Sequence, residues 1–266
     1  MFLLVLAATL TAQVAVKPSA TQVEVTIDGQ PYTTFFFGPD APKPYLHPLR
    51  LADGTVVTRR FPMDNSIANE KRDHPHHRGL WFTHGDVNGW DFWANEKDQK
   101  GVGKGRGLVV LKKFGSAKGG KKQGSIEAEF EWKDGTGKVL LEEQRKVTII
   151  ADGANRIVDN DITLKAVDEA VFGDTKEGVF ALRLARELEE TMTGTMRAAA
   201  GATKEKNVWG TQSPWVDYTG TLNGKTVGLA IFDHPKNPRH PTYWHSRGYG
   251  LFAANIFGVR DFTRDK

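Results

Sequence analysis

Hydrophobic and polar residues alternate along most of this chain with a period of two. Over residues 126–132, Ile, Ala, Phe and Trp occupy every second position, and three Glu residues lie between them. Such alternation is typical of a β-strand with one face buried and the other in water. The sequence predicts further strands at 22–27, 32–37, 139–151, 156–165, 178–188, 226–233 and 249–255.

Turn signals separate these strands at short intervals. Asp28-Gly29 predicts a hairpin, and turns at 134–137 and 152–153 connect three long strands as a meander. Only residues 183–192 have any helical character, and their spacing favours a strand. No internal repeat or linker interrupts the pattern. The sequence therefore predicts an all-β fold, an antiparallel β-sandwich, in one domain over residues 19–266.

The composition is that of a globular protein and excludes several classes of function. Of the 266 residues, 39% are hydrophobic and 26% charged, which argues against a disordered or collagen-like chain. The chain has no cysteine, which rules out disulfides, zinc–thiolate sites and a cysteine nucleophile. No apolar run reaches the roughly 18 residues of a transmembrane helix, so we expect no membrane insertion.

The amino terminus has the features of a secretory leader. Residues 2–10 form an apolar run too short to span a bilayer, and Ala12 and Ala15 offer cleavage points. We therefore expect a signal peptide over residues 1–18 and a periplasmic or secreted bacterial protein; a buried first strand is the alternative. At the other end, we expect the sequence to be truncated, because a sandwich normally has a further strand covering its last edge.

A basic segment at 97–122 carries nine Lys or Arg residues and one acidic residue, Asp98. Only one aromatic side chain, Phe114, lies among them, whereas surfaces that bind nucleic acid combine basic and stacking residues. We interpret the segment as a solvated, glycine-rich loop and hairpin, and we expect no nucleic-acid partner. A groove for an anionic polysaccharide is the alternative.

Seven of the eight histidines fall in two short clusters, at 74–86 and 233–245. Both clusters are broken by prolines and flank apolar segments. Histidine titrates near neutral pH and is also the commonest metal ligand, so we expect the two loops to meet at one end of the sandwich and form a site. The predicted catalytic residues are His76, His77, His245 and, as a general base at the entrance to a strand, Glu177.

Other side chains in these loops are predicted to bind the substrate. Two arginines would hold an oxyanion or a carboxylate, and tryptophan rings would pack against a sugar. About half of the tryptophans, and several of the histidines, are equally compatible with ordinary core or loop positions. The predicted substrate-binding residues are Arg78, Arg239, Trp81, Trp93, His240 and Trp244.

A single divalent metal is an alternative use of the first cluster. His74 and His76 are separated by one residue, so an extended segment would direct both imidazoles to one side, and Asp86 supplies a nearby carboxylate. The sequence has neither the glutamate spacing of a cupin nor an HExxH motif. The identity of the metal and its geometry stay open at this point.

Longer motifs in these regions resemble a bacterial protein family. The segments HPHHRGLWFTHGDVNGWDFW (74–93), GDTKEG (173–178), WVDYTG (215–220), DHPKNPRHPTYWH (233–245) and YGLFAANIFG (249–258) are similar to the family labelled methane oxygenase PmoA. The resemblance covers about residues 20–263. Members are mostly exported and uncharacterised, and they are abundant in polysaccharide-degrading bacteria. The resemblance therefore implies a carbohydrate or glycoside ligand.

The order of elements also resembles the galactose-mutarotase-like supersandwich, with a long hairpin at 139–165 before GDTKEG and a Phe/Leu/Arg strand at 180–186. Enzymes of that fold include sugar epimerases and polysaccharide lyases, which use His, Glu, Arg and Tyr as acid and base groups. We therefore expect an exported carbohydrate-active protein performing acid/base chemistry on a sugar, as an epimerase, lyase or hydrolase. The alternatives are a non-catalytic glycan-binding module and a metal-dependent oxygenase or hydrolase.

Overall fold

A computed structural model describes residues 11–260, which fold mainly as antiparallel strands, so the all-β prediction is confirmed. The strands are β1 (Gln13–Pro18), β2 (Gln22–Ile27), β3 (Gln30–Phe36), β4 (Tyr45–His47), β5 (Leu80–His84), β6 (Leu108–Lys118), β7 (Gly120–Lys121), β8 (Gln123–Lys133), β9 (Val139–Asp152), β10 (Asn155–Ala166), β11 (Gly178–Arg183), β12 (Thr195–Ala198), β13 (Trp215–Leu222), β14 (Lys225–Phe232), β15 (Tyr243–Arg247) and β16 (Leu251–Asn255). Helical structure in this range is a 3-10 turn, Arg186–Leu188, and the single-turn helix α1, Glu205–Val208.

Backbone pairing groups the strands into three antiparallel sheets. A nine-stranded sheet has the order β15-β16-β11-β5-β4-β3-β2-β1-β7, a four-stranded sheet the order β10-β9-β8-β6, and a three-stranded sheet the order β12-β13-β14. The predicted meander is the run β8-β9-β10 in the four-stranded sheet. The predicted hairpin joins β2 to β3, and both of its turn residues, Asp28 and Gly29, have positive φ.

The nine-stranded sheet buries its inner face against both smaller sheets. Phe82 of β5 lies 6.1 Å from Trp132 of β8, and Phe252 of β16 lies 5.1 Å from Tyr218 of β13, measured between ring centroids. The apolar positions of β8 all contribute to this core, as the alternation predicts. They are Ile126, Ala128, Phe130 and Trp132. Packing of aromatic and aliphatic side chains between layers makes the molecule a β-sandwich.

The outer face of the same sheet carries a row of residues in register across four strands. Trp81 on β5 pairs with Ala181 on β11, and Ala181 pairs with Ala253 on β16. Ala253 in turn pairs with His245 on β15. Directly opposed residues of antiparallel strands point to the same side. Two small alanines therefore separate a tryptophan from a histidine on this face, and long loops cover it.

Two segments differ from the predicted strands. The strand predicted at 178–188 ends at Arg183, because the backbone N–H groups of Leu184 and Ala185 donate to the carbonyls of Gly250 and Val57 and the chain leaves the sheet. The second histidine cluster was predicted to be a loop, but its last residues form β15. This strand orients Trp244 and His245 to opposite faces.

The two ends of the chain lie partly outside the described residues. The predicted signal peptide falls largely on residues 1–10, and the predicted truncation concerns the region after residue 260. The last residues of the predicted leader form β1, whose Val14 is buried in the core. Within residues 11–260, no helix is long and apolar enough to cross a membrane.

Candidate functional site

A cavity of about 290 Å³ lies where the loops meet beside the outer face. Its volume is at the small end of the roughly 300–1,000 Å³ range of ligand pockets. The side chains that line it include His74, His76, His77, Asp86, Trp93, Glu177 and Tyr249. The structure thus places Glu177 on the same cavity as the first histidine cluster, as the sequence predicted.

Three elements of the sheet position these side chains. His74, His76 and His77 lie just before β5, Glu177 is the last residue before β11, and Tyr249 lies in the turn between β15 and β16. These strands are neighbours in the sheet, in the order β16-β11-β5. His77 and Tyr249 lie at one end of these short strands and Glu177 at the other, so residues far apart in sequence line a cavity across the outer face.

Four aromatic rings form a stacked column along one wall. The ring of Tyr249 stacks on His74, with 5.3 Å between centroids, and His74 stacks on His77 at 4.8 Å. His77 then stacks on Trp81 at 5.2 Å, and the angles between successive planes are 13°, 13° and 22°. His76 meets the ring of His77 edge-on, at 4.5 Å and 83°. The column holds the imidazoles in fixed orientations.

Two buried arginines and a partly exposed aspartate lie beside the column. Arg59 donates to Asp73 Oδ1 at 2.7 Å, and Arg183 Nη2 lies 3.5 Å from the same oxygen. The guanidinium of Arg183 also lies 4.7 Å from the Tyr249 ring centroid. Burial alone would raise the pKa of Asp73, but the neighbouring positive charges outweigh it and lower that pKa. Asp73 is thereby kept ionised against two arginines.

His76 and His77 each have one hydrogen-bond partner at Nδ1. The Gln99 side chain lies 2.9 Å from His76 Nδ1, and Arg183 Nη1 lies 3.1 Å from His77 Nδ1. Burial, the largest effect, lowers the pKa of His76 to about 2 and lowers that of His77 well below its ordinary value. Nearby positive charges reinforce both shifts. Both rings are therefore neutral at physiological pH.

Glu177 connects the cavity to the second cluster. Its Oε2 lies 3.9 Å from His245 Nδ1, and its Oε1 lies 3.4 Å from Lys176 Nζ. About a third of the Glu177 side chain is exposed, whereas His245 is 2% exposed. Burial lowers the pKa of His245 to about 3. His245, predicted to be catalytic, does not line the cavity itself; it lies beside Glu177, so the two clusters approach each other on the outer face of the sheet and not at one end of the sandwich.

The remaining members of the second cluster do not reach this site. His240 Nδ1 lies 2.7 Å from Asp233 Oδ2, and Arg239 donates to the Ile256 carbonyl. Trp244, on the inner face of β15, is fully buried and donates to the Ser213 carbonyl. We predicted these three side chains to bind substrate, but none of them lines the cavity.

Two predicted binding residues of the first cluster also have structural partners. Arg78 forms a two-pronged ion pair with Glu96, at 2.7 and 2.6 Å, and its guanidinium lies over the Tyr45 ring. Trp81 is 1% exposed and lies beneath His77. Trp93 is just as buried but does line the cavity. Of the six predicted substrate-binding residues, the structure brings only Trp93 to the cavity wall.

The metal alternative fits the donor set poorly. No group of three or more His, Asp or Glu side chains within residues 11–260 is placed to share a metal ion. Asp86 lies against Gly173, where a Cβ would collide with the carboxylate, and its Oδ1 accepts from the Gly89 N–H. A histidine that binds a metal through one ring nitrogen normally donates a hydrogen bond from the other nitrogen to a protein acceptor. The Nδ1 atoms of His76 and His77 instead accept hydrogen bonds from Gln99 and Arg183. The predicted set His74, His76 and Asp86 is therefore not assembled as a metal site.

Several residues of the site were missed by sequence reasoning. Lys43 is fully buried, and its Nζ donates to the Trp93 carbonyl at 2.6 Å and to Asn95 Oδ1 at 3.0 Å. Burial lowers the pKa of Lys43 to about 7. Tyr249 and Arg183 reach the site through the register of β16 and β11, which no local motif reveals. The one available signal was a charged residue, Arg183, ending an apolar strand.

A family match covers most of the chain, at residues 22–265. The chain belongs to a family of unknown function, DUF6807. Comparison of this DUF6807 chain with curated proteins and with solved structures gives no match. All the cavity residues of this DUF6807 chain described above fall within the matched range. The family carries no assigned chemistry, so the function has to be argued from the cavity.

Proposed function

We propose that this DUF6807 chain is an exported carbohydrate-active enzyme that moves a proton on a sugar, with Glu177 as the general base. The observation that carries the proposal is the shared cavity wall. A carboxylate, Glu177, faces the same small space as two imidazoles, His76 and His77, whose burial keeps them neutral. A carboxylate base combined with neutral imidazoles is a recurrent arrangement for abstracting a proton next to a carbonyl.

The size and lining of the cavity suit a single sugar ring. Its volume of about 290 Å³ excludes a large ligand from the interior. The lining alternates aromatic rings, Trp93 and Tyr249, with carboxylate and imidazole groups. Such a mixture can bind both the C–H faces and the hydroxyl groups of a sugar. An epimerase or a lyase is favoured over a hydrolase, because both reactions begin with removal of a proton next to a carbonyl, a step that needs a base and hydrogen-bond donors for the developing charge.

The glycan-binding alternative receives less support. A non-catalytic module presents flat, exposed aromatic rings to its ligand, but Trp81 and Trp244 are buried. The ion pairs and the ring column also fix several imidazoles in a small cavity, an arrangement that binding alone does not require. The binding module is therefore kept as an outcome of the experiment below.

The test compares Glu177→Gln with Glu169→Gln, an identical change at an exposed carboxylate outside the cavity. The purified proteins are incubated in deuterium oxide with a panel of hexoses, hexuronates and their glycosides. Proton magnetic resonance then follows exchange, epimerisation and elimination. We expect Glu177→Gln to lose at least about 100-fold in rate, the lower limit for a general base.

Three results would contradict the proposal. Turnover that survives in Glu177→Gln would remove Glu177 from the chemistry. Saturable binding of a sugar by the wild-type chain without turnover of any panel member would favour the glycan-binding module. Equal losses in both variants would show that the effect is not specific to the cavity.

A further inference from the structure

The hydrogen bonds at the Nδ1 atoms of His76 and His77 determine which ring nitrogen carries the proton. Arg183 has only donors, so the 3.1 Å contact requires His77 Nδ1 to accept. The orientation of the Gln99 amide is fixed independently, because its Oε1 accepts from the Glu96 N–H at 3.1 Å. The Gln99 NH2 group must then donate to His76 Nδ1, at 2.9 Å.

A neutral imidazole that accepts at Nδ1 carries its hydrogen at Nε2. Both rings are nine-tenths or more buried, with His76 7% and His77 1% exposed, and both line the cavity. Within the described residues, neither Nε2 has a hydrogen-bond partner. The ring centroids are 4.5 Å apart. The pair therefore offers two adjacent N–H donors and no acceptor.

We propose that His76 and His77 bind a carboxylate or carbonyl oxygen of the ligand through their Nε2–H groups, with Gln99 and Arg183 as positioning residues. This inference deepens the proposed function and rests on it for the sugar part of the ligand. The substrate class is a sugar that carries a carboxylate or a carbonyl, such as a uronate. A pair of donors suits an oxygen that only accepts.

This assignment replaces the roles that the sequence suggested. We expected Arg78 and Arg239 to hold an oxyanion, but Glu96 and the Ile256 carbonyl occupy their guanidinium groups. We expected His76 and His77 to exchange protons, but positively charged Arg183 at Nδ1 opposes protonation of His77. The oxyanion role passes from the arginines to the imidazoles.

Gln99 provides the test, because Gln99→Glu preserves shape and reverses one hydrogen bond. A glutamate at this position still accepts from the Glu96 N–H, but it cannot donate to His76. His76 must then carry its hydrogen at Nδ1 and present a lone pair to the cavity. Gln99→Met removes the donor without adding an acceptor and is the matched control. Gln99 is half-buried, so we expect both variants to fold.

Two measurements on chain labelled with ¹⁵N-histidine test the inference. Long-range ¹H–¹⁵N correlation spectra report the tautomer of each imidazole, with assignments from His76→Asn and His77→Asn. In the wild type we expect both rings to carry their hydrogen at Nε2. In Gln99→Glu we expect His76 alone to convert to the tautomer with its hydrogen at Nδ1. In Gln99→Met we expect no conversion to a single Nδ1–H form. Titration should show D-glucuronate perturbing both rings and binding at least tenfold more weakly to Gln99→Glu. D-glucose should bind both proteins equally.

Three results would overturn the inference. These are an Nδ1–H tautomer of either ring in the wild type, an unchanged His76 tautomer in Gln99→Glu, and glucuronate affinity that is absent or insensitive to Gln99→Glu. None of these measurements needs turnover. Glucuronate bound as expected, but never converted, would contradict the proposed function and leave this inference intact.

Discussion

The two histidine-rich loops, which are the clusters at 74–86 and 233–245, have similar compositions but differ in what their histidines contact. In the first loop, His76 and His77 are neutral rings that line a cavity, and each receives a hydrogen bond at Nδ1 from a fixed donor. In the second loop, His240 is held by Asp233, seven residues earlier in the same loop. Histidine density therefore locates polar loops, but the partner of each ring decides whether the ring is available to a ligand.

Asp233 explains why the second loop needs its polar residues. Its carboxylate is 3% exposed and accepts from the Asn237 amide, the His240 ring and the Thr242 backbone N–H, at 2.7–2.9 Å. A buried carboxylate with several donors organises a turn much as a capping residue does. His245 is the exception in this segment, because β15 carries it away from Asp233 to the outer face of the sheet.

The largest expected effect is a loss of folding stability in acid. Burial lowers the pKa of His76 to about 2 and that of His245 to about 3, and it also lowers that of His77. Between about pH 3 and pH 6.5 the unfolded chain binds more protons than the folded chain, so stability is full above that window and falls as the pH drops through it. Each such ring contributes up to about 1.4 kcal/mol per pH unit.

Urea unfolding measured at about pH 7 and about pH 5 tests this expectation, because the free energy of unfolding should fall by several kcal/mol between the two. In His76→Gln the slope of the free energy of unfolding against pH should decrease by up to about 1.4 kcal/mol per pH unit. A free energy of unfolding that does not change over this range would contradict the buried, neutral state assigned to the first loop.

Asp233→Ala should produce the next largest effect, on stability alone. The change leaves the buried Thr242 N–H without its acceptor, at a cost of about 1–3 kcal/mol. Asp40→Ala, at an exposed carboxylate outside both loops, is the control and should change stability by less than about 0.5 kcal/mol. Sugar binding by folded Asp233→Ala should match the wild type. Loss of binding at full stability would instead place the second loop in the site.

The smallest effect is expected in the basic segment. Lys118 ends β6, Lys121 ends β7 and Lys122 follows it. All three are exposed, and screening over a Debye length of ~8 Å weakens their attraction for an anionic ligand. Neutralising all three should change the affinity for a neutral or a uronate-containing oligosaccharide by less than about twofold. Selective loss of uronate binding, together with a steep salt dependence in the wild type, would identify an anionic groove instead.

The fold could be predicted well because it follows from local patterns. Alternation along β8 identified its buried face, and the Asp28-Gly29 turn fixed a hairpin, since both depend on neighbouring residues. The strand at 178–188 was predicted too long because Leu184 and Ala185 bond to distant carbonyls. Backbone partners that lie far away in sequence leave no periodic signal.

The site could be predicted only in part, for the same reason. His76, His77 and Glu177 stood out by residue type and motif, and the structure brings them together. Trp244 also stood out, yet the alternation of side chains along β15 directs it into the core. Tyr249 escaped notice because an ordinary tyrosine enters the site only through the pairing of β15 with β16. Side-chain alternation and strand register determine which face a residue occupies, and neither can be read from a short motif.

We propose that the cavity of the first loop, and not the second loop, receives the substrate. A crystal structure of the chain with the sugar that binds most tightly in the panel would locate the ligand. We expect the sugar inside the cavity, with an oxygen within hydrogen-bond distance of His76 Nε2 and a C–H facing Glu177. A sugar bound against Arg239 and His240, with the cavity free of ligand, would contradict it.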